Sequence, residues 1–249
     1  MIGRLAHIWR YPIKGHGAEP LEGVTLTQAK ALPFDRVWAV THEGSKPVGD
    51  AWITCANFSR GAKAPQLMAI TSHLDEATGQ ITLRHPARPD LTFDPETTPE
   101  ALIEWVRPLI PADRAASVGL ARVPGVALTD TAFPSISLNN LATNRSVADA
   151  LGQPLSPLRW RGNLWFDGLA PFEEFEWVGR RLSLGGAELT VRERITRCLA
   201  TTANPETGMR DADTLGALQE NWGHQQFGVY AEVTKSGPVT VNDKITVLT

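Results

Sequence analysis

The stretch from residue 181 to 191 constrains this chain most. It reads Arg-Leu-Ser-Leu, then Gly-Gly, then Ala-Glu-Leu-Thr-Val. Apolar and polar residues alternate strictly on both sides of Gly185-Gly186, which is the period of half-buried strands joined by a two-residue turn. A lone hairpin is marginally stable in water, so this one requires further strands to cover its apolar face. The rest of the chain offers them. Leu5, Ile8 and Trp9 begin one strand; Val24 with Leu26, Val37 to Val40, Leu67 to Thr71 and Ile81 to Leu83 continue the series. Ala77-Thr78-Gly79-Gln80 marks a turn. Phe227 to Val233 and Val239 to Leu248 read as a second strand pair, joined around Ser236-Gly237-Pro238. Short, closely spaced strands predict a mainly β (α+β) chain that closes or partly closes into a barrel, with a few short helices.

Residues 42–63 are rich in glycine and polar residues and read as loop. Residues 86–99 carry prolines at 86, 89, 95 and 99 and few apolar side chains, which predicts a linker or exposed crossing. A helix should follow. Thr98 can cap it, Pro99 suits its first position and Glu100 its first turn. Leu102, Ile103, Trp105 and Val106 form its buried face, and Pro108 ends it. A second helix is expected from Ser146, three residues before Asp149 in capping-box style, stopping at Gly152 and Pro154. A short helical stretch is expected near 215–219.

Composition excludes several classes of function. The 249 residues carry a net charge of -3, so no basic stripe signals nucleic acid. No run approaches the ~18 apolar residues that span a bilayer, and the first residues lack the apolar core of a signal peptide. Neither a membrane nor a nucleic-acid partner is expected, and the reading is a cytoplasmic protein. The two cysteines, Cys55 and Cys198, form no CxxC, which argues against a zinc ribbon or a cysteine-ligated iron–sulfur cluster. A disulfide between them would be unusual outside a secreted scaffold, so at least one thiol should be free. The six histidines show no HxH or HExxH spacing, and no GxGxxG, P-loop or GxSxG occurs.

Cys198 carries the most chemical promise. It ends Arg192-Glu193-Arg194-Ile195-Thr196-Arg197-Cys198, where cations favour the thiolate that attacks or ligates, and a sulfur ligand suits soft, redox-active centres. A buried structural cysteine flanked by surface arginines would give the same string. Asn204-Pro205-Glu206-Thr207-Gly208 is a turn that could rim a cysteine-centred pocket. Arg159, Arg161 and Asn163 would share one face of a strand, where two guanidiniums and an amide could hold a phosphate. A solvated polar face is the favoured reading of them from these residues alone, since any half-exposed strand alternates in this way. Lys14 and Arg36 are single cations at strand edges.

Together these segments resemble the MOSC (molybdenum cofactor sulfurase C-terminal) superfamily with its N-terminal β-barrel companion. The resemblance rests on Tyr11-Pro12-Ile13-Lys14, Asp35-Arg36-Val37-Trp38 and Arg161-Gly162-Asn163. It rests also on Asp167 to Phe172 with Glu176-Trp177, on Thr196-Arg197-Cys198 with Pro205 to Gly208, and on the strands at 227–230 and 239–243. The order covers nearly the whole chain. It implies an N-terminal β-barrel-like domain over residues 1–94, a linker and helix over 95–111, and a MOSC barrel over 112–249, with the site between the two units. It further implies a molybdenum–pterin cofactor (Mo-molybdopterin) with Cys198 as metal ligand and catalytic centre. Lys14, Arg36, Asn139, Arg161, Asn163, Arg197 and Asn204 would be cofactor-binding. The implied activity, by similarity to amidoxime-reducing members, is reduction of a small N-oxygenated substrate. Electrons would come from a separate donor protein of the ferredoxin, flavodoxin, cytochrome b5 or reductase type, since no cysteine cluster precedes Thr249.

The sequence departs from the family pattern at four positions. Gly15 stands where serine is common, Phe34 where glycine precedes the Asp-Arg pair, Gly162 where proline follows the arginine, and Asn204 where aspartate is usual. Two other readings therefore stand beside the enzyme: a carrier of persulfide sulfur on Cys198 or of the cofactor itself, and a relative that has lost cofactor binding.

Overall fold

The computed structural model describes residues 3–248. In chain order the elements are β1 (Gly3–Arg10), β2 (Ile13–Lys14), β3 (Glu19–Leu21), β4 (Gly23–Leu26), β5 (Trp38–His42), β6 (Thr71–Leu74), β7 (Ile81–His85), β8 (Arg88–Phe93), α1 (Pro99–Val106), β9 (Ser117–Arg122), β10 (Ile136–Asn140), α2 (Leu141–Leu151), β11 (Leu164–Asp167), β12 (Arg181–Leu184), β13 (Ala187–Thr196), α3 (Thr214–Trp222), β14 (Gln226–Lys235), β15 (Gly237–Thr240) and β16 (Lys244–Leu248). The chain is mainly β, as its patterning predicts.

The β12–β13 hairpin forms as read, with Leu184 opposite Ala187 across the Gly-Gly turn. Leu182, Leu184, Ala187, Leu189 and Val191 all point inward and join Leu5, Ile8, Leu138, Phe166 and Val229 in one core. Seven strands close around that core in the order β11-β10-β14-β13-β12-β16-β1, with β1 returning to β11 and β3 added outside β1. A closed ring leaves no edge for the hairpin to expose.

The first strands do not stay with residues 1–94. β1 pairs with β11 and β16, so both ends of the chain share one barrel, and β4 pairs with β15 in a separate two-stranded sheet. A second core lies around Ile13, Val40, Leu67, Leu83, Leu102 and Trp105, between β2-β5-β9, β6-β7-β8 and α1.

Several local expectations are corrected. β14 and the segment after it do not pair with each other: β14 lies between β10 and β13, β15 pairs with β4, and β16 pairs with β12 and β1. Only Ser236 separates β14 from β15, yet the two strands join different sheets, because the partner of each lies far away in sequence. Residues 88–93 are a strand on β7, not a linker; as an outer strand it accommodates Pro89, which has no N–H to donate. Pro65–Ala69 is a 3-10 turn, so the strand expected from Leu67 begins only at Thr71. Helix α2 begins at Leu141, five residues before Ser146, because Asn140 caps it by accepting from the Ala142 N–H at 2.9 Å. Gly152 ends that helix as expected. Helix α1 starts at Pro99 and buries Leu102, Ile103, Trp105 and Val106 as read.

Candidate functional site

The barrel hairpin also builds the site. Strand β13 alternates in burial to Val191, and its pairing with β14 shifts register between Glu188 and Leu189, between Val191 and Glu193 and again between Arg194 and Thr196. Bulges re-aim side chains at barrel rims. Glu193, Arg194, Thr196, Arg197 and Cys198 consequently line one cleft of about 410 Å³. Lys14, Arg36, Cys55 and Arg60 line the same cleft from the first half of the chain, and Asp130, Arg161, Asn163 and Tyr230 from the second.

Charge is concentrated there. The cleft is lined by six cations, Lys14, Arg36, Arg60, Arg161, Arg194 and Arg197, against two carboxylates, Asp130 and Glu193, in a chain of net charge -3. The two central guanidiniums tolerate each other because of what surrounds them. Tyr11, fully buried, has both guanidiniums over its ring, the carbons of Arg36 and Arg161 lying 4.8 and 4.3 Å from its centroid. Arg36 pairs with Asp35 and donates to the Arg161 carbonyl at 2.9 Å; Arg161 donates to the Gly17 carbonyl at 3.2 Å. Burial, and then the charge of Arg36, bring Arg161 down to about 10, which leaves it charged at neutral pH. Burial pushes the Tyr11 phenol up to about 12, so it stays neutral. Both arginines hold left-handed backbone, φ 52° and 50°, as does Phe34 at 60°. Non-glycine residues rarely adopt this conformation, and it concentrates at ligand clamps.

Lys14 Nζ donates to the Leu128 carbonyl at 2.8 Å and pairs with Asp130. Desolvation works against a charged Asp130, but Lys14, then Arg36 and Arg197, outweigh it and hold its carboxyl below the usual range. Arg197 is fixed on three sides, donating to the Phe227 carbonyl at 2.8 Å, the Trp160 carbonyl at 2.7 Å and Asn139 Oδ1 at 3.0 Å. Behind it Trp160 and Phe227 stack at 3.8 Å. Cys198 is exposed, and its carbonyl accepts from the Thr201 N–H and hydroxyl, both at 3.1 Å. Arg210 ties this loop to the other wall through the Ala62 carbonyl at 3.0 Å.

Of the residues singled out in sequence, Lys14, Arg36, Arg161, Asn163, Arg197 and Cys198 come together. Asn163 acts as a pillar: its Oδ1 accepts from Ser137, and its Nδ2 donates to the Trp9 carbonyl and Asp35. Asn139 is fully buried behind Arg197 and does not line the cleft. Asn204 lies outside it too. Its Nδ2 donates to Asp211 at 2.8 Å, a bond that the aspartate usual at this position could not donate. Arg159 does not join Arg161 and Asn163 on a strand face. Residues Pro157–Trp160 form a 3-10 turn, and Arg159 is buried against the Thr202 carbonyl and Asp211. Gly15 is also accounted for, since a Cβ there would meet the Ser59 carbonyl at 2.8 Å.

Sequence reading missed Cys55, Arg60, Asp130 and Tyr230. Nothing local distinguishes Cys55 in a polar loop, yet Arg60 Nη1 donates to its sulfur at 2.9 Å in this cleft. Among the described residues no group of three or more His, Cys, Asp or Glu could hold a bare metal ion. The exposed sulfur of Cys198, with Cys55 beside it and cations in excess, makes a cleft suited to an anionic ligand.

A model of the MOSC domain matches residues 131–246, and one of the MOSC N-terminal beta barrel domain matches residues 2–107. The chain belongs to the MOSC family. Relatives of this MOSC protein include molybdenum cofactor sulfurase 2 of Culex quinquefasciatus, 24% identical over 94% of this chain. The chain spans about a third of that relative's length (34%). Mitochondrial amidoxime reducing component 2 of Bos taurus is 21% identical over 98% of this chain and 83% of its own. The YUAD protein of Bacillus subtilis shares the fold, with a TM-score of 0.50, 12% identity and coverage of 98% and 94% of the two chains. No helix among the described residues is long and apolar enough to cross a membrane.

Proposed function

We propose that the cleft of this MOSC protein binds the molybdenum–pterin cofactor through Cys198, and that the chain works as a reductase of N-hydroxylated compounds fed by a separate electron-donor protein. The observation that carries this reading is the exposed Cys198 thiol at a cleft where six cations outnumber two carboxylates. Lys14, Arg36, Arg161 and Arg197 would hold the anionic phosphate, each already oriented by a backbone carbonyl. Cys198 would supply the one protein ligand. The cofactor, when bound, supplies the two-electron chemistry that removes oxygen from an N–O group. The chain's own part is to bind, orient and tune it. Asp130, held charged by Lys14, sets the local field and can accept but not readily donate a proton near neutral pH.

The test is metal content, with pterin fluorescence after acid oxidation, on protein from a host that makes the cofactor. Near-stoichiometric molybdenum and pterin, both lost in Cys198→Ala, are expected. Full retention of both in that variant would rule out the ligand role. A sulfur-carrier reading has one observation in its favour: both cysteines of the chain line the same cleft, and Cys55 already receives an arginine N–H. Sulfane sulfur on protein that holds no molybdenum would favour it.

A further inference from the structure

Next to the cysteine cleft lies a second cavity of about 310 Å³, which the reading above does not use. Arg60 is the wall between them and lines both. On its far side the cavity has an apolar floor and a cationic rim. The half-buried Ile110 makes that floor with the exposed Ala56 and Ala115, while Phe58, 1% exposed, adds almost no surface. Arg60, Lys63 and Arg114 stand around it, with Asp113 as the one carboxylate. The volume sits at the lower end of small-molecule sites, which combine apolar walls with a few convergent polar groups.

We propose that this cavity binds a small organic anion, a carboxylate on a flat apolar body, with the ring against Ile110, Ala56 and Ala115 and the carboxylate among Arg60, Lys63 and Arg114. Three cations against one acid favour an anion over a cation, and guanidiniums suit a carboxylate's two oxygens. The apolar wall favours an organic anion over an inorganic one, because phosphate would leave Ile110, Ala56 and Ala115 uncovered. Two of the cations are held loosely enough to engage a ligand. Arg60 spends Nη1 on Cys55, and Arg114 has only Asp113 near, at 3.6 Å. A ligand seated here would touch the same arginine that holds Cys55, and so would adjoin the cysteine cleft without entering it. The inference does not depend on what the cleft itself holds.

The test is isothermal titration of benzoate, benzamide and benzamidine into the full chain at low ionic strength. These probes share one ring and differ in charge. Benzoate should bind saturably, benzamide at least several-fold more weakly, and benzamidine not at all. Two variants locate the site. Ala115→Trp fills the cavity from an exposed position, and Lys63→Glu with Arg114→Glu reverses its rim without touching the cysteine cleft. Each should weaken benzoate at least tenfold while unchanged thermal melts report an intact fold. Benzoate binding that survives Ala115→Trp would place the anion in the neighbouring cleft and overturn the proposal. Equal binding of the three probes, or none by benzoate, would overturn it as well.

Discussion

Asn139 Oδ1 accepts a hydrogen bond from Arg197 Nη2 at 3.0 Å, so a fully buried amide holds a cation that faces the cleft. Asn139 is the penultimate residue of β10, in the barrel wall, and its only other side-chain bond is to the Leu164 carbonyl at 3.5 Å. Its part is positioning. Asn139→Ala should cost about 1–3 kcal/mol, the range for a buried hydrogen bond lost with one partner left unpaired. It should also weaken phosphate binding in the cleft by roughly tenfold, about 1.4 kcal/mol. Chemical denaturation and phosphate titration measure the two effects. A stability loss with unchanged phosphate affinity would show that Arg197 holds its place without the amide.

The same amide explains why glycine follows Arg161. A Cβ on Gly162 would lie 2.0 Å from Asn139 Nδ2 and 2.5 Å from its Cγ. The proline of the family pattern has no room here unless Asn139 moves. Gly162→Ala should destabilise by about 1–3 kcal/mol, as overpacking does. In Asn139→Ala the clash disappears, so the double variant should cost clearly less than the sum of the singles. Strict additivity in a thermal-melt cycle would refute the steric account.

Asp130 competes with any anion for the cleft's cations. It pairs with Lys14, and the charges of Lys14, Arg36 and Arg197 keep it ionised. Asp130→Asn should strengthen phosphate binding by about 1 kcal/mol, roughly fivefold, at low salt. The gain should shrink as salt screens the half-exposed carboxylate. Weaker binding in the variant would mean that Asp130 is needed to hold Lys14 in position.

Glu174 gives the fold a pH dependence remote from the cleft. It is fully buried, accepting from Asn140 Nδ2 at 2.9 Å and from the Thr143 hydroxyl at 3.0 Å. Burial raises its carboxyl above the ordinary value of 4.5, despite these bonds. A raised folded value means that the folded state binds the proton more tightly than the unfolded chain does. The contribution is therefore full below about 4.5 and is lost as pH rises through the folded value. Glu174→Gln removes this titration. The stability difference between wild type and variant should move against wild type as pH increases from 4 towards neutrality. A difference that is flat over that range would contradict the assignment.

Much of the architecture is legible in sequence wherever the signal is local. The β12–β13 hairpin follows from two-residue alternation about Gly185-Gly186, and α1 from Pro99 ahead of an apolar face, because both signals lie within a few residues of the structure they specify. The same local logic misled at Arg159, Arg161 and Asn163. Their spacing fits a strand, but Pro157 starts a turn and Arg161 takes left-handed backbone, so the three side chains part. It also misplaced the start of α2, because Asn140 is at once the end of a strand and the cap of the next helix.

By itself the sequence determined a mainly β chain, a family and six residues that prove to line one cleft, Lys14, Arg36, Arg161, Asn163, Arg197 and Cys198. Only the tertiary structure decided which strands neighbour which, and therefore that β1 closes the barrel against β11. The tertiary structure also put Cys55 and Arg60 in one cleft with Cys198 and left Asn139 and Asn204 outside its lining. The reason is physical. Alternation and turn chemistry act between residues a few positions apart, whereas ring closure and the bulges of β13 are fixed by packing between segments distant in the chain, which no short stretch of sequence records.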